Sequence, residues 1–193
     1  MIVTMSLEAS LEQIERWLRQ HTPTTAALLA PPATAAEIAT LEEVLGFRLR
    51  PEVEALLRWH NGSTGFDGAF PLAPVHRMLD TRQIAERWRT INDVTRDSRV
   101  EWPDLWRPTW LPLTTDEGLA SIMVDHSPGA TGEVFYWDHV DTRNQQVPPW
   151  PNLASEVADL ATALLTGGRM SGSAAHPGLR PVVAHDGELG WDD

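Results

Sequence analysis

The sequence contains no cysteine and no lysine, and each absence excludes a group of functions. Without cysteine the chain forms no disulfide, binds no iron–sulfur cluster, and has neither a thiolate metal site nor a cysteine nucleophile. Without lysine it lacks the phosphate-loop lysine of nucleotide-binding enzymes, the Schiff-base amine of pyridoxal-phosphate enzymes and a lysine general base. All 15 basic residues are arginine. Stability must therefore come from packing, without covalent cross-links.

Basic residues are also few relative to acidic ones. The 27 acidic residues outnumber the 15 arginines, which gives a formal net charge of -12. No basic run follows a phosphate backbone, so the composition disfavours nucleic-acid binding. An acidic surface favours encounter with a basic protein, because complementary potentials raise association rates. Solubility alone explains the same excess of carboxylates, and composition leaves both interpretations open.

Long hydrophobic runs are missing as well. The first ten residues have no basic region followed by a continuous apolar one, and the longest stretch without charge, residues 20–36, contains three prolines. The length of 193 residues is that of one domain, which removes roughly 70% of the surface of the unfolded chain from water. We therefore predict a single cytoplasmic domain over residues 1–193, with no membrane-spanning segment.

Helix signals fill the N-terminal part, residues 1–62. Ser10 with Gln13 has the spacing of a capping box and predicts a first helix that ends near His21. Thr34 with Glu37 repeats that spacing before the next apolar series.

Residues 41–62 predict two short amphipathic helices joined by a turn. Gly46 suits the left-handed C-cap of the first helix, and Pro51 suits the first turn of the second. Asn61-Gly62 then supplies the positive φ that stops the second helix.

The remaining part, residues 63–193, predicts a sheet with helices around it. Asp80 with Gln83 predicts the start of a helical insertion that lies across the sheet. Strands are predicted over residues 109–114, 119–125 and 132–140, and short turns between them indicate an antiparallel meander. The alternation of apolar and polar residues around Ile122 predicts that one face of the sheet is buried.

The C-terminal end predicts one helix and one hairpin. Asn152 begins a helix that ends at Gly167 and covers the sheet. Residues 167–178 are rich in glycine, serine and alanine, which predicts a mobile segment. Asp186-Gly187 between apolar flanks predicts a type I′ hairpin and an ordered end.

Several short motifs follow one another in an order that resembles the SUKH superfamily, and in particular its Smi/Knr-type domains. They are Trp17-Leu18, His21-Thr22-Pro23, Pro31-Pro32-Ala33, residues 41–62, Trp110-Leu111-Pro112, Met123-Val124-Asp125, Arg180-Pro181-Val182-Val183 and Gly187-Glu188-Leu189-Gly190-Trp191. No single motif is diagnostic of the superfamily; the resemblance depends on the order in which the motifs occur. The chain departs from the usual Leu-Pro at the start of the second helix, with Leu49-Arg50-Pro51, which predicts a turn one residue longer.

The resemblance implies a non-catalytic interaction module, whose expected fold class is α+β with an antiparallel sheet packed against N-terminal helices, a helical insertion and a C-terminal helix. Many bacterial members of the superfamily are immunity proteins that bind and block a toxin, commonly a nuclease, made by the same cell. The acidic composition suits a basic toxin. The fungal member regulates cell-wall assembly, so a regulatory scaffold for cell-envelope synthesis is the alternative. No cofactor is expected, and the sequence does not determine the oligomeric state.

A small metal-dependent hydrolase is the remaining alternative. It rests on a cluster of carboxylates and imidazoles that divalent metals favour, formed by Asp125, His126, Asp138, His139 and Asp141. Adjacent residues on a strand point to opposite faces, so only part of the cluster converges. The position of Asp125 is also typical of a turn residue at the end of a strand. We therefore predict no metal site and no catalytic residue.

Candidate partner-binding residues lie on the predicted loops and sheet ends. Aromatic and acidic side chains at such positions are typical of protein interfaces. They also occur as solvated turn residues, and the sequence does not choose between the two. The candidates are Phe66, Asp67, Trp106, Asp116, Glu117, Asp138 and Asp141.

Overall fold

A computed structural model describes residues 6–65, 69–97, 105–118, 120–138, 150–170 and 179–192. Within these ranges helices and antiparallel strands occur in separate runs, which confirms the α+β class. The elements are α1 Leu7–His21, α2 Pro23–Ala27, α3 Ala35–Leu45, α4 Pro51–Trp59, β1 Pro71–Ala73, β2 His76–Met78, α5 Thr81–Val94, β3 Trp110–Pro112, β4 Thr114–Thr115, β5 Ser121–Asp125, β6 Val134–Trp137, α6 Leu153–Thr166, β7 Arg180–Val183 and β8 Leu189–Asp192.

The first helix starts one turn earlier than its sequence signal predicts. Ser6 is the N-cap and its side chain accepts a hydrogen bond from the backbone N–H of Ala9 at 3.2 Å, whereas Ser10 lies buried inside the helix. The capping box predicted at Ser10 is therefore wrong. The physical reason is Leu7, which is buried and extends the apolar face of the helix by one turn.

The other helix signals are confirmed except one: α4 ends at Trp59 with His60 in an extended conformation, so Asn61-Gly62 does not supply its stop. Thr34 and Asp80 are N-caps of α3 and α5, and each forms a complete capping box with the residue three positions later. Gly46 ends α3 with φ of +77°, and Pro51 occupies the first turn of α4. Local sequence therefore determines where these helices begin and end.

The glycine after α4 is required by a close contact as well as by its backbone angle. Gly62 has φ of +79°, and a Cβ at this position would lie 2.4 Å from the backbone nitrogen of Asp80. The neighbouring Asn61 accepts a hydrogen bond from the backbone N–H of Thr81 through its side-chain oxygen at 2.8 Å. The end of α4 is thereby fixed to the start of α5.

The strands form two small sheets and a hairpin, where the sequence predicted one meander. One antiparallel sheet has the order β1-β2-β4, and the other has the order β3-β5-β6. They meet at Leu113, whose N–H donates to the carbonyl of Ile122 at 2.9 Å and whose carbonyl accepts from Leu79 at 3.0 Å. The predicted strand over residues 109–114 is thus divided at Leu113 between the two sheets.

Both faces of the β3-β5-β6 sheet are buried, which corrects the prediction of a single buried face. Ile122 and Val124 point into the main core, which extends from α1 to β8. The alternate residues point into a second apolar cluster beneath α5. We call it the aromatic cluster; its members are Ile91, Trp106, Trp110, Met123, Phe135 and Trp137.

The long helices pack against helices more than the sequence predicts. The insertion α5 packs against α3 and β3, and α6 packs chiefly along α1, with smaller contacts to β1, α4 and β7. Expectations that each would lie across a sheet are therefore only partly met. No helix in the described ranges has the combination of length and apolar character that crossing a bilayer requires.

The hairpin formed by β7 and β8 packs on the N-terminal helices. Thr24 donates its hydroxyl to the carbonyl of Asp186 at 2.7 Å, and the N–H of Leu189 donates to the hydroxyl of Thr25 at 2.9 Å. Gly187 has positive φ and donates to the carbonyl of Ala184, so the turn is type I with a bulge and not type I′. Of the segment predicted to be mobile, residues 171–178 lie outside the described ranges.

Candidate functional site

Two of the predicted partner-binding residues, Asp116 and Glu117, form a tightly organised turn after β4. The Asp116 carboxylate accepts a hydrogen bond from the N–H of Gly118 at 2.8 Å, and the Thr115 hydroxyl accepts one from the N–H of Glu117 at 2.9 Å. Glu117 has φ of +68°, a left-handed conformation that is uncommon outside glycine. We call residues 115–118 the acidic turn. Its carboxylates occupy fixed positions.

Two arginines lie beneath the acidic turn. Arg77 Nε donates to Glu117 Oε1 at 2.9 Å, and Arg87 Nη2 lies 3.9 Å from Asp116 Oδ1. The arginine side chains are 14% and 13% exposed, whereas those of Glu117 and Asp116 are 36% and 32% exposed. The carboxylate groups are therefore more exposed to solvent than the guanidinium groups, which lie below them.

Arg87 also forms hydrogen bonds to the last residue of the acidic turn and to the residues that follow it. Its guanidinium donates to the carbonyls of Gly118 and Ala120 at 2.5 and 2.7 Å, and to the hydroxyl of Ser121 at 3.0 Å. Burial lowers the pKa of Arg87, and the charges of Asp116 and Glu117 oppose that shift. An arginine remains protonated under such conditions, so Arg87 supplies a permanent charge below the carboxylates.

A third predicted residue, Asp138, lies at the same end of the β3-β5-β6 sheet. The pairing of Ser121 with Trp137 places Asp138 beside the point where the acidic turn enters β5. Asp138 is half-buried and accepts a hydrogen bond from the hydroxyl of Tyr136 at 3.4 Å. Three of the predicted carboxylates are thus brought to neighbouring positions by the strand register.

The other predicted residues do not join this group. Trp106 is 1% exposed and donates its indole N–H to Asn92 at 2.9 Å, so it belongs to the aromatic cluster and not to a surface. The prediction that Trp106 contacts a partner is wrong, because the side chain fills the space between α5 and β6. Phe66, Asp67 and Asp141 lie outside the described residues.

The described members of the cluster that suggested a hydrolase form structural hydrogen bonds. His126 Nε2 accepts from the backbone N–H of Arg50 at 3.1 Å, and His126 Nδ1 lies 3.2 Å from the carbonyl of Val124. This arrangement requires a neutral imidazole with its proton on Nδ1. Burial lowers the pKa of His126, and the charge of Arg50 adds to that shift, which favours the same neutral form.

The neighbouring carboxylate has a turn role, as its position at the end of a strand predicted. Asp125 Oδ1 accepts from the N–H of Ser127 at 2.6 Å. Within the described ranges no group of three or more histidine and acidic side chains is arranged to hold a metal ion. His139 and Asp141, the other two members of the hydrolase hypothesis, lie outside those ranges.

Arg50, the residue that departs from the family pattern, joins the N-terminal helices to the turn after β5. Its Nε donates to the carbonyl of Asp125 at 2.9 Å, and its Nη2 donates to the carbonyl of Ala130. Gly132 leaves room for it, because a Cβ there would lie 3.1 Å from the Arg50 side chain. The sequence showed Leu49-Arg50-Pro51 as a departure from the expected Leu-Pro, but only the fold gives the hydrogen-bond partners of Arg50.

Replacing Arg50 with methionine is expected to lower the free energy of unfolding by about 1–2 kcal/mol, because charged donors are removed from two carbonyls while the aliphatic stem is kept. Urea denaturation followed by circular dichroism measures the change. Arg48 is the control, since its side chain is exposed and pairs only with Glu42. Equal effects of the two methionine variants would contradict the structural role of Arg50.

A further unusual residue, Val75, is not indicated by any pattern in the sequence. Pro74 and Val75 connect β1 to β2, and Val75 has φ of +60° while its side chain is 52% exposed. A β-branched residue in the left-handed region is a conformational outlier. The preceding proline, which favours the first central position of a turn, is consistent with this geometry.

Replacing Val75 with glycine is expected to raise the free energy of unfolding by about 1 kcal/mol, because glycine adopts positive φ without the steric cost that Val75 carries. Thermal and urea denaturation measure the difference. Val183, equally exposed at 52% but located in β7, is the matched control, and its glycine variant is expected to lose stability. A destabilised Val75→Gly protein would show that the left-handed conformation carries no strain.

Comparison with known proteins agrees with the fold. The model of the SMI1 / KNR4 family (SUKH-1) matches residues 32–158, which is more than half of the chain and includes α3, α4, both three-stranded sheets and the start of α6. A search among curated proteins found no match. The matched region contains the α3–α4 turn, Arg50, the acidic turn and Val75. The chain belongs to the SMI1 / KNR4 family (SUKH-1).

Proposed function

We propose that this protein is a non-catalytic protein-binding module that neutralises a basic toxin in the cytoplasm, with a nuclease as the expected toxin class. Membership of the SUKH-1 family is the observation that carries the proposal, since the resemblance to bacterial immunity proteins implies this role. The net charge of -12 supports a basic partner, because opposite charge accelerates encounter.

The geometry of the acidic turn supports the same role. Its carboxylates lie outside the arginines that hold them, so the surface offers hydrogen-bond acceptors in fixed positions. Acceptors that are already ordered lose little conformational freedom when a partner binds, which improves affinity. A basic protein surface supplies the matching donors.

In this proposal the protein neutralises the toxin by binding over its functional surface, so that shape and charge together keep the substrate away. An interface of roughly 1,200–2,000 Å² is large enough to block an active site or the groove that binds the substrate. Affinity has to be about nanomolar or tighter, because free toxin acts on many substrate molecules. No group of this chain needs to react, so the role is compatible with side chains that serve only structure and recognition.

The proposal is tested by inspecting the neighbouring genes for one that encodes a basic, toxin-like protein and by purifying that protein. Co-expression of the two proteins is expected to restore growth of cells that the toxin alone kills. The purified pair is expected to form a complex that no longer cuts its nucleic-acid substrate at saturating amounts of this protein. Continued killing and cutting at saturation would contradict the proposal.

Two further measurements separate the alternatives. Capture of envelope-synthesis proteins by this chain, without protection against the toxin, would favour the regulatory scaffold that the fungal relative represents. Elemental analysis, together with melting in the presence and absence of chelator, tests the hydrolase, because a bound metal stabilises the fold that holds it. We expect unchanged melting with chelator.

A further inference from the structure

We propose that the end of the β1-β2-β4 sheet is the surface that docks the basic partner, with Val75 as its apolar centre and carboxylates around it. We call this the sheet-end surface; it consists of Val75, Asp116, Glu117 and Asp138. The inference rests on the proposed function and adds to it the location of the interface and the chemistry of the partner.

Strand register brings the members of this surface to one end of the molecule. Arg77 pairs with Thr115 across β2 and β4, so the residues before Arg77 and those after Thr115 extend past the same end of the sheet. Val75 lies two residues before Arg77, and Glu117 lies two residues after Thr115. Arg77, two residues after Val75, donates to Glu117 at 2.9 Å and so joins β2 to the acidic turn.

The second sheet adds Asp138 to the same region. His76, which follows Val75, has its ring centroid 5.6 Å from that of Tyr136, and the Tyr136 hydroxyl donates to Asp138 at 3.4 Å. The pairing of Ser121 with Trp137 also places Asp138 near Ala120, two residues after the acidic turn. Carboxylates from two sheets therefore border the β1–β2 turn.

Two residues at this end of the sheet have backbone conformations that cost energy in the folded protein. Val75 and Glu117 are the non-glycine residues with positive φ in the described ranges, and both belong to the sheet-end surface. Strained conformations of this kind concentrate where recognition requires a fixed geometry. Val75 also exposes 52% of its surface, so its side chain contributes little to the core. Both features are explained if the exposed side chain is used in an interface.

Charge determines which partner fits. The outer groups are carboxylates, and the buried guanidinium groups of Arg77 and Arg87 hold two of them in place from below. A matching protein presents a shallow apolar recess that accepts an isopropyl group, bordered by arginine or lysine side chains. An apolar centre inside a polar rim is the usual arrangement of a protein interface.

The test uses Val75→Gly protein and, in purified form, the toxin-like protein that the inspection of neighbouring genes identifies. Binding is measured by calorimetry and denaturation by circular dichroism on the same samples. We expect this variant to melt at a higher temperature than the wild type and to bind at least about tenfold more weakly. Opposite changes in stability and affinity are not produced by a general folding defect. Val183→Gly, the matched control, is expected to bind as the wild type does.

The acidic rim is tested separately with Asp116→Asn and Glu117→Gln proteins. Asparagine keeps an oxygen for the N–H of Gly118, so the turn is retained while its charge is lost. We expect several-fold slower association and a weaker dependence of the rate on salt, because rim charges act mainly on encounter. Glu12→Gln, at an exposed position on α1, is the control and is expected to change neither quantity.

The outcomes distinguish this inference from the proposed function. Absence of binding by the wild-type protein would overturn the proposed function, and the docking surface with it. Tight binding by the wild type that persists unchanged in Val75→Gly, Asp116→Asn and Glu117→Gln proteins would overturn the sheet-end surface alone. Loss of affinity in these three variants, with both controls unaffected, supports the inference.

Discussion

Replacing Trp106 with alanine is expected to lower the free energy of unfolding by about 3–5 kcal/mol, the usual loss for a fully buried aromatic side chain. Trp106 is 1% exposed, and its ring lies edge-on to those of Trp110 and Trp137 at centroid distances of 6.0 and 5.5 Å. Its removal leaves a cavity and also leaves Asn92 without the indole donor at 2.9 Å. Urea denaturation followed by circular dichroism measures the loss.

Two variants make this result specific. Trp106→Phe is expected to lose less stability than Trp106→Ala, because a ring still fills most of the space while the indole hydrogen bond is absent. Trp17→Ala, at a half-buried position on α1, is expected to be milder than Trp106→Ala. If Trp106→Ala were as stable as the wild type but failed to bind a partner, the side chain would be a surface contact and the burial argument would be wrong.

Replacing Glu156 with leucine is expected to raise the free energy of unfolding at pH 8 by about 2–4 kcal/mol, because a buried polar group without a partner is costly. Glu156 is 0% exposed on the core face of α6, and neither carboxyl oxygen has a hydrogen-bond partner within the described residues. Leucine occupies a similar volume at a position surrounded by Leu153, Val157 and Leu160.

The gain is expected to depend on pH in a defined direction. Burial raises the pKa of Glu156 well above its usual value of 4.5, and the nearby charge of Asp159 raises it further. Below pH 4.5 this carboxyl is protonated in both states. As the pH rises above 4.5, it ionises in the unfolded chain before it does so in the folded protein, so wild-type stability falls. The advantage of Glu156→Leu therefore grows as the pH rises above 4.5, up to the raised pKa.

Denaturation curves at several pH values between 4 and 8 test this dependence. Glu156→Gln is the second variant, since it removes the ionisation but keeps polar atoms, and it is expected to be less stable than Glu156→Leu. Glu12→Gln, exposed on α1, is the control and is expected to follow the pH dependence of the wild type. A destabilised Glu156→Leu protein would show that Glu156 has a stabilising partner. A gain that does not change with pH would show that burial does not raise the pKa of Glu156.

The sequence predicted where the acidic candidate residues lie but not how Trp106 packs, and that any of the acidic residues contacts a partner stays a prediction. Asp116, Glu117 and Asp138 were proposed because acidic residues in turns are commonly exposed, and the structure places them at neighbouring positions. Trp106 was proposed for a surface because tryptophans near loops often anchor protein interfaces, yet burial depends on what packs above the segment. Here α5 covers it. Val75 escaped notice, because a left-handed valine is determined by the strand pairing on both sides and not by its neighbours in sequence.

The sequence by itself determined the local features: the caps at Thr34 and Asp80, the stop at Gly46, the start at Pro51 and the α+β class. These depend on hydrogen bonds and backbone angles within a few residues, so short patterns are sufficient to specify them. Tertiary structure alone decided the division into two sheets, the aromatic cluster, the burial of Glu156 and the partners of Arg50. Each of these depends on residues far apart in the chain, whose contacts exist only after the helices and strands have packed together.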